Sequence, residues 1–317
     1  MGMVFSLLLL VLGFVLLVKG ADRFVDGASD IAGRLGISQL VIGLTIVAMG
    51  TSAPEAAVSI TAAVKGNADI TIGNIVGSNI LNILIILGLS SVVAPLAVSA
   101  HTLFRDIPFM IAITMLLLFQ GSGGNVGFGE GAVLTLLFLG YTGCLLWMSK
   151  KESLQNGGGL APEQKGTARK GRLWQPLLNT LAGLAMIVLG SQLAVDAATD
   201  LARLFGMSER FIGLTIVALG TSLPELFTSV AAAAKGNADI AIGNIVGSNI
   251  FNILFVVGVS ALITPVPFSA QFHADMWTAA AAGVMLLVCS IKGRKLGRPG
   301  GIAMLAGYVL YFVFICL

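Results

Sequence analysis

Glu55 and Glu225 place carboxylates inside two of the most apolar stretches of this chain, "VAMGTSAPEAAVS" over 47–59 and "VALGTSLPELFTS" over 217–229. Burying one carboxylate near the centre of a bilayer costs roughly 3 kcal/mol on insertion scales. Two close together cost more unless a cation or a proton neutralises them. No Lys, Arg or His lies inside either stretch to do so. Other oxygens accompany the acids. Ser52, Glu55 and Ser59 share one helical face at spacings of three and four, and Ser222, Glu225 and Ser229 repeat the pattern. In the next segment Asn74, Ser78 and Asn82 recur every four residues, as do Asn244, Ser248 and Asn252. Taken singly, such residues serve as interhelical glue more often than as ligands. Taken together they surround two carboxylates with neutral oxygens. That set suits a hard cation. Calcium accepts roughly six to eight oxygens in irregular geometry, whereas magnesium demands a tight octahedron and holds its water. Soft transition metals would want Cys or His.

The backbone that positions the acids is broken on purpose. Pro54 has no N–H, so the carbonyl of Gly50 loses its helical partner. Ala53 is pushed away from helical angles by the proline after it. A break is expected over 48–54, and Gly220, Leu223 and Pro224 predict a second one. In a membrane, freed carbonyls are tolerated only where they face protein, water or an ion. Asp69 and Asp239, in two "KGNAD" loops, read as N-caps of the following helices. Gly73 with Gly77, and Gly243 with Gly247, form GxxxG patterns that let neighbouring backbones approach.

Residues 41–82 and 211–252 are identical at about three quarters of their positions, at a constant offset of 170 that relates Glu55 to Glu225. The similarity extends weakly upstream, where Asp26, Asp30, Gly36 and Ser38 answer Asp196, Asp200, Gly206 and Ser208. Of the 317 residues, 56% are hydrophobic and 10% charged, against roughly 25% charged in soluble domains. Apolar segments of spanning length fall at roughly 3–19, 38–64, 71–94, 103–120, 127–148, 176–195, 209–234, 241–264, 277–291 and 301–317. The expected fold is therefore an all-α integral membrane protein of ten transmembrane helices, built as two inverted five-helix repeats with broken helices 2 and 7. An odd number of spans per repeat turns the second half upside down, the plan of secondary transporters with a midplane site. The halves are 1–149 and 174–317, joined by a polar, basic and glycine-rich linker over 150–173.

Basic residues crowd one side. Lys150, Lys151, Lys165, Arg169, Lys170 and Arg172 fall between helices five and six, and Lys292, Arg294, Lys295 and Arg298 between nine and ten. Only Lys65, Arg203 and Arg210 fall opposite. The positive-inside rule makes the crowded side cytoplasmic and puts both termini outside, in a plasma (inner) membrane. The first segment lacks a basic n-region and a small-x-small cleavage site, so it reads as a retained helix. Cys144, Cys289 and Cys316 lie in separate apolar segments without paired spacing and imply neither a disulfide framework nor a metal site. There is no HExxH, and His101 and His273 lie outside both repeats, so an intramembrane enzyme is disfavoured. No cofactor, nucleic acid or obligate protein partner is implied; the expected partners are ions and the lipid bilayer.

The motifs "GTSAPE…GNIVGSNILN" and "GTSLPE…GNIVGSNIFN" resemble the two α-repeats of the sodium/calcium exchanger family, within the calcium:cation antiporter superfamily. The resemblance implies a short, prokaryotic-type antiporter moving sodium against calcium by alternating access. It implies that Glu55 and Glu225 hold calcium with the backbone carbonyls of Thr51 and Thr221. It implies sodium positions on either side, one using Ala48, Ser52 and Ser78, the other Ala218, Ser222 and Ser248, with Asn82 and Asn252 facing the centre. The branch that co-transports potassium carries Asp where this chain has Asn252, so potassium independence is expected. A proton/calcium antiporter would use the same carboxylates, protonated. The extra Ser and Thr oxygens favour sodium, because a proton needs no coordination shell.

Overall fold

The computed structural model describes residues 3–155, 174–207 and 218–316. The first half contains α1 (Met3–Leu35), a bent pair α2 (Gln39–Thr51) and α3 (Ala53–Val64), then α4 (Asp69–Val93), α5 (Thr102–Gly121) and α6 (Phe128–Gln155). The second half contains α7 (Trp174–Leu204), α8 (Leu223–Ala234), α9 (Ala238–Ile263), α10 (Phe272–Arg294) and α11 (Arg298–Ile315). Among the described residues eight helices are long and apolar enough to cross a membrane, and nine when α2 and α3 count as one bent span. The 12-residue α8 is the described end of the segment expected over 209–234; positions 209–217 of that segment, and 156–173 of the linker, lie outside the described residues.

Helix ends depart from the apolar windows in a consistent way. α1 has 33 residues where 3–19 was expected, and α7 has 31 where 176–195 was expected. At about 1.5 Å per residue each outruns the ~30 Å hydrocarbon core. Hydropathy marks the length that must be apolar, whereas the hydrogen-bond ladder continues through charged residues such as Asp22, Arg23 and Asp26. Likewise α6 stays helical to Gln155, into the segment assigned to the linker. The cap assignments need correction. The helix after the first "KGN" turn starts at Asp69 with Ala68 at the cap, and the second starts at Ala238 with Asn237 at the cap. Gly66 and Gly236, both at φ 77°, end the preceding helices in left-handed turns. The acids are therefore the first and second helical residues and not the caps, and the Asp239 carboxylate still complements the helix dipole from the first turn.

α1 and α7 pack antiparallel along glycines spaced by seven. A Cβ on Gly13 would lie 2.8 Å from the Gly190 carbonyl, on Gly20 2.9 Å from the Gly183 carbonyl, and on Gly27 2.7 Å from the Thr180 nitrogen. Four short strands tie the loops. β1 (Leu96–Ala97) pairs antiparallel with β4 (Lys295–Leu296), and β2 (Asn125–Val126) with β3 (Val266–Pro267). β1 precedes α5 and β2 follows it, so the two small sheets sit at opposite ends of a 20-residue helix. The offset of 170 relates β1 to β3 and β2 to β4. The same exchange recurs in helix packing: a Cβ on Gly131 of α6 would lie 2.8 Å from the Gly258 carbonyl of α9, and one on Gly301 of α11 2.6 Å from the Gly88 carbonyl of α4. α4 and α9 occupy the centre, with 78% and 83% of their apolar windows enclosed by other helices.

Candidate functional site

The chain bends by 52° between α2 and α3, at Ser52, whose φ −81° and ψ 5° fall outside the helical range. Ser222 adopts φ −92° and ψ 3° at the matching point before α8. Pro54 and Pro224 then sit in the first turn of the following helices, where a missing N–H costs least. The carbonyl freed at Gly220 accepts the Ser191 hydroxyl of α7 at 2.8 Å. Ala21 stands at the equivalent place on α1 and has no hydroxyl to offer.

Both breaks deliver a glutamate to the same interior. Glu55 is 1% exposed and Glu225 fully buried. Each is held by the serine of the other half: Ser52 Oγ donates to Glu225 Oε1 at 2.7 Å, and Ser222 Oγ to Glu55 Oε1 at 3.3 Å. The remaining carboxylate oxygens, Glu55 Oε2 and Glu225 Oε2, are buried without a partner among the described residues, as are Asn82 Oδ1 and Asn252 Oδ1. No Lys, Arg or His forms an ion pair with either glutamate among the described residues. Unpaired buried acceptors of this kind are rare and costly. Two carboxylate oxygens and two amide oxygens left in this way form an oxygen cage, and with both carboxylates ionised it would have the electrostatics to hold cations.

The family described as "Sodium/calcium exchanger protein" matches residues 5–147 and 176–317. The chain belongs to the sodium/calcium exchanger family. Among its curated relatives are the "Putative antiporter CaxA" of Alkalimonas amylolytica, 42% identical over 98% of both chains, and the "Sodium/calcium exchanger MaX1" of Methanosarcina acetivorans, 33% identical over 97% of both. A solved structure of the sodium-calcium exchanger NCX_Mj, soaked with zero Na+ and Ca2+, superimposes with a TM-score of 0.85 at 31% identity, covering 99% of this chain and 100% of that one.

The remaining residues singled out in this exchanger sequence divide into two groups. Ser78 and Ser248 stay with the cage: Ser78 Oγ lies 3.5 Å from Ser222 Oγ, and Ser248 Oγ donates to the Ala48 carbonyl at 3.4 Å. Thr51 turns its hydroxyl to the Val47 carbonyl at 3.1 Å and to Asn244 Oδ1 at 3.0 Å. Thr221 is half-buried between the helical turn Ala218–Gly220 and Ser222; the side chain of Ala218 is not among those described. The outer pair of each stripe is glue. Asn74 donates to Ser59 Oγ and Asn244 to Ser229 Oγ, both at 2.9 Å, tying each post-break helix to the next span.

Asn79 and Asn249 were not picked out from sequence, yet they organise the centre. Each donates its side-chain N–H to the other's backbone carbonyl at 3.2 Å. Their side-chain oxygens accept from Asn82 Nδ2 at 3.0 Å and Asn252 Nδ2 at 3.1 Å. Because the amide nitrogens of Asn82 and Asn252 are tied back in this way, their Oδ1 atoms are the ends left without a protein partner. A π-helical stretch begins at each, Asn82–Leu87 and Asn252–Val257; such bulges recur at functional sites. The doubled "GSN" was the available signal, but a neutral asparagine beside the polar stripe has no periodicity that marks it.

Proposed function

We propose that this protein exchanges sodium for calcium across a plasma (inner) membrane by alternating access, moving net charge and needing no potassium. The observation that carries this reading is the pair of buried glutamates, each with an oxygen that has no partner, and with no basic partner, among the described residues. In it, Glu55 and Glu225 hold calcium with the backbone carbonyls of Thr51 and Thr221. Sodium takes positions on either side, at Ala48, Ser52 and Ser78 and at Ala218, Ser222 and Ser248, while Asn82 and Asn252 line the centre. Among the described residues no cluster of three or more Asp, Glu, His or Cys exists, so the two glutamates set the charge of the cage. One calcium matches that charge, and the flanking serines leave room for sodium in excess of it.

Halves 1–149 and 174–317 act as inverted repeats in this scheme. Antiparallel packing of α1 on α7, strand pairs exchanged between halves at opposite ends of α5, and the reciprocal Asn79–Asn249 bonds all support the inversion. The lysine and arginine distribution supports a cytoplasmic 150–173 and external termini. An impermeant thiol reagent applied to intact cells tests that orientation: Ser153→Cys is expected to stay unlabelled, and labelling from outside would reverse the topology.

The exchange itself is tested in liposomes with a sodium gradient, choline as the replacement cation and the proton gradient collapsed. Calcium uptake is expected to follow the sodium gradient, and an imposed potential is expected to bias its direction, since each elementary charge is worth about 2.3 kcal/mol per 100 mV. Uptake that ignores the potential would remove the excess sodium. Uptake that vanishes without potassium would overturn the reading of Asn252, and uptake driven by protons alone would favour the proton antiporter.

A further inference from the structure

A groove of about 530 Å³ opens between α5 and α6, lined by Arg105, Val133, Leu136, Leu137, Gly140 and Cys144 with their neighbours. It faces outward, away from the glutamate cage. At Gly140 and Gly143 no atom lies within 4 Å of where a Cβ would be, so bare backbone leaves part of the α6 surface open. We propose that this groove binds one acyl chain of an anionic phospholipid whose phosphodiester is held by Arg105 and Lys151.

The polar end of the groove carries the charge argument. Tyr141 Oη and the Arg105 guanidinium both donate to Asp106, Arg105 through Nε at 2.8 Å and Nη2 at 3.2 Å. Asp106 is fully buried and anchors Arg105, whose side chain remains 32% exposed. Among the described residues the third nitrogen, Nη1, meets only the weak acceptor Met148 Sδ at 2.8 Å, so guanidinium N–H groups remain for a phosphate oxygen. From the groove, Gly140, Cys144, Trp147 and Lys151 follow one face of the helix towards its end. Lys151 Nζ lies 5.4 Å from the centre of the Trp147 ring, an aromatic and cation pair of the kind that marks the membrane surface. Lys150 stands beside it, and the two lysines outnumber Glu152, next in sequence. Basic pockets between spanning helices recognise lipid headgroups in this way.

The groove is particular to the first half. The offset of 170 puts Leu310 and Phe314 where Gly140 and Cys144 stand, and an acid, Asp275, where Arg105 stands. The duplicated fold alone therefore does not produce it.

Trp147 provides the readout. The full-length protein carrying Trp174→Phe and Trp277→Phe retains it as the single tryptophan. It is placed in phosphatidylcholine vesicles containing a small fraction of phosphatidylglycerol or phosphatidylcholine brominated on the acyl chains. Brominated phosphatidylglycerol is expected to quench Trp147 at lower mole fraction than brominated phosphatidylcholine. Lys151→Gln is expected to weaken that preference about fivefold, the value of one basic residue near a membrane surface. Gly140→Leu, which extends into open space, is expected to remove it while the thermal unfolding midpoint is kept. Equal quenching by both lipids in the parent, or an unchanged preference in folded Gly140→Leu, overturns the proposal.

Discussion

Glu55→Gln and Glu225→Gln are each expected to abolish sodium-driven calcium uptake while leaving the helices assembled. Each glutamate uses one oxygen to accept a serine from the opposite half and leaves the other unpartnered. Glutamine preserves an acceptor for Ser222 or Ser52, so the link between the halves survives. It removes one of the two charges that would balance a divalent ion. Losing one partner of a buried charge pair costs about 3–5 kcal/mol, which is more than a hundredfold in affinity. The fold should not pay for the change, because an uncompensated buried carboxylate is itself the costly state. Uptake of radioactive calcium by purified protein in liposomes, with a thermal unfolding curve on the same preparation, separates the two effects. Near-normal uptake by either variant would take that glutamate out of the site.

Gly247→Val is expected to disrupt both assembly and transport. A Cβ at Gly247 would lie 2.7 Å from the Leu44 carbonyl oxygen and 2.8 Å from Ala48 Cβ, and one at Gly243 3.1 Å from Gly43 Cα. These are contacts with backbone and one fixed Cβ across α9 and α2, and no rotamer change relieves them. The helices must separate, at about 1–3 kcal/mol or more for overpacking. Separation also pulls Ser248 from the Ala48 carbonyl and moves Ser52 away from Glu225. A fall in transport of about tenfold or more accompanies the lost stability, since each tenfold corresponds to only about 1.4 kcal/mol. Gly143→Ala is the control. Its Cβ meets nothing within 4 Å, and alanine is the better helix former, so activity and melting should be unchanged. A Gly247→Val protein that melts and transports like the parent would show that the close crossing is dispensable.

Much of this molecule was legible before its structure. The position of the first break followed from the donor that proline lacks; the bend falls at Ser52, inside the expected 48–54, and not at Ala53, which opens the following helix instead of leaving helical angles because proline sits comfortably in a first turn. Helix ends and caps were less legible. Hydropathy stops where the hydrocarbon does, so it missed the charged ends of α1 and α7. The acid after each "KGN" looked like a cap only because the left-handed turn at Gly66 and Gly236 cannot be positioned to the residue from composition. The π-helical stretches at Gly43–Val47, Asn82–Leu87 and Asn252–Val257 left no sequence mark, since an inserted residue in a helix changes hydrogen bonding without changing hydropathy.

By itself the sequence determined that two acids would be buried in apolar surroundings, that each would follow a break at a proline, and that the motif around one acid would recur around the other. All three rest on local chemistry: proline geometry, charge cost and a long identical motif. Which atoms meet was decided by tertiary structure alone. Ser52 turns to Glu225 and not to Glu55, Ser59 is spent on Asn74, and Asn79 with Asn249 ties back the amides of Asn82 and Asn252 so that their oxygens stay free. The central bonds join residues 167 to 173 positions apart. Helical periodicity reaches only one turn along the chain, so it assigns each residue a face. It cannot say which side chain from the other half that face will meet.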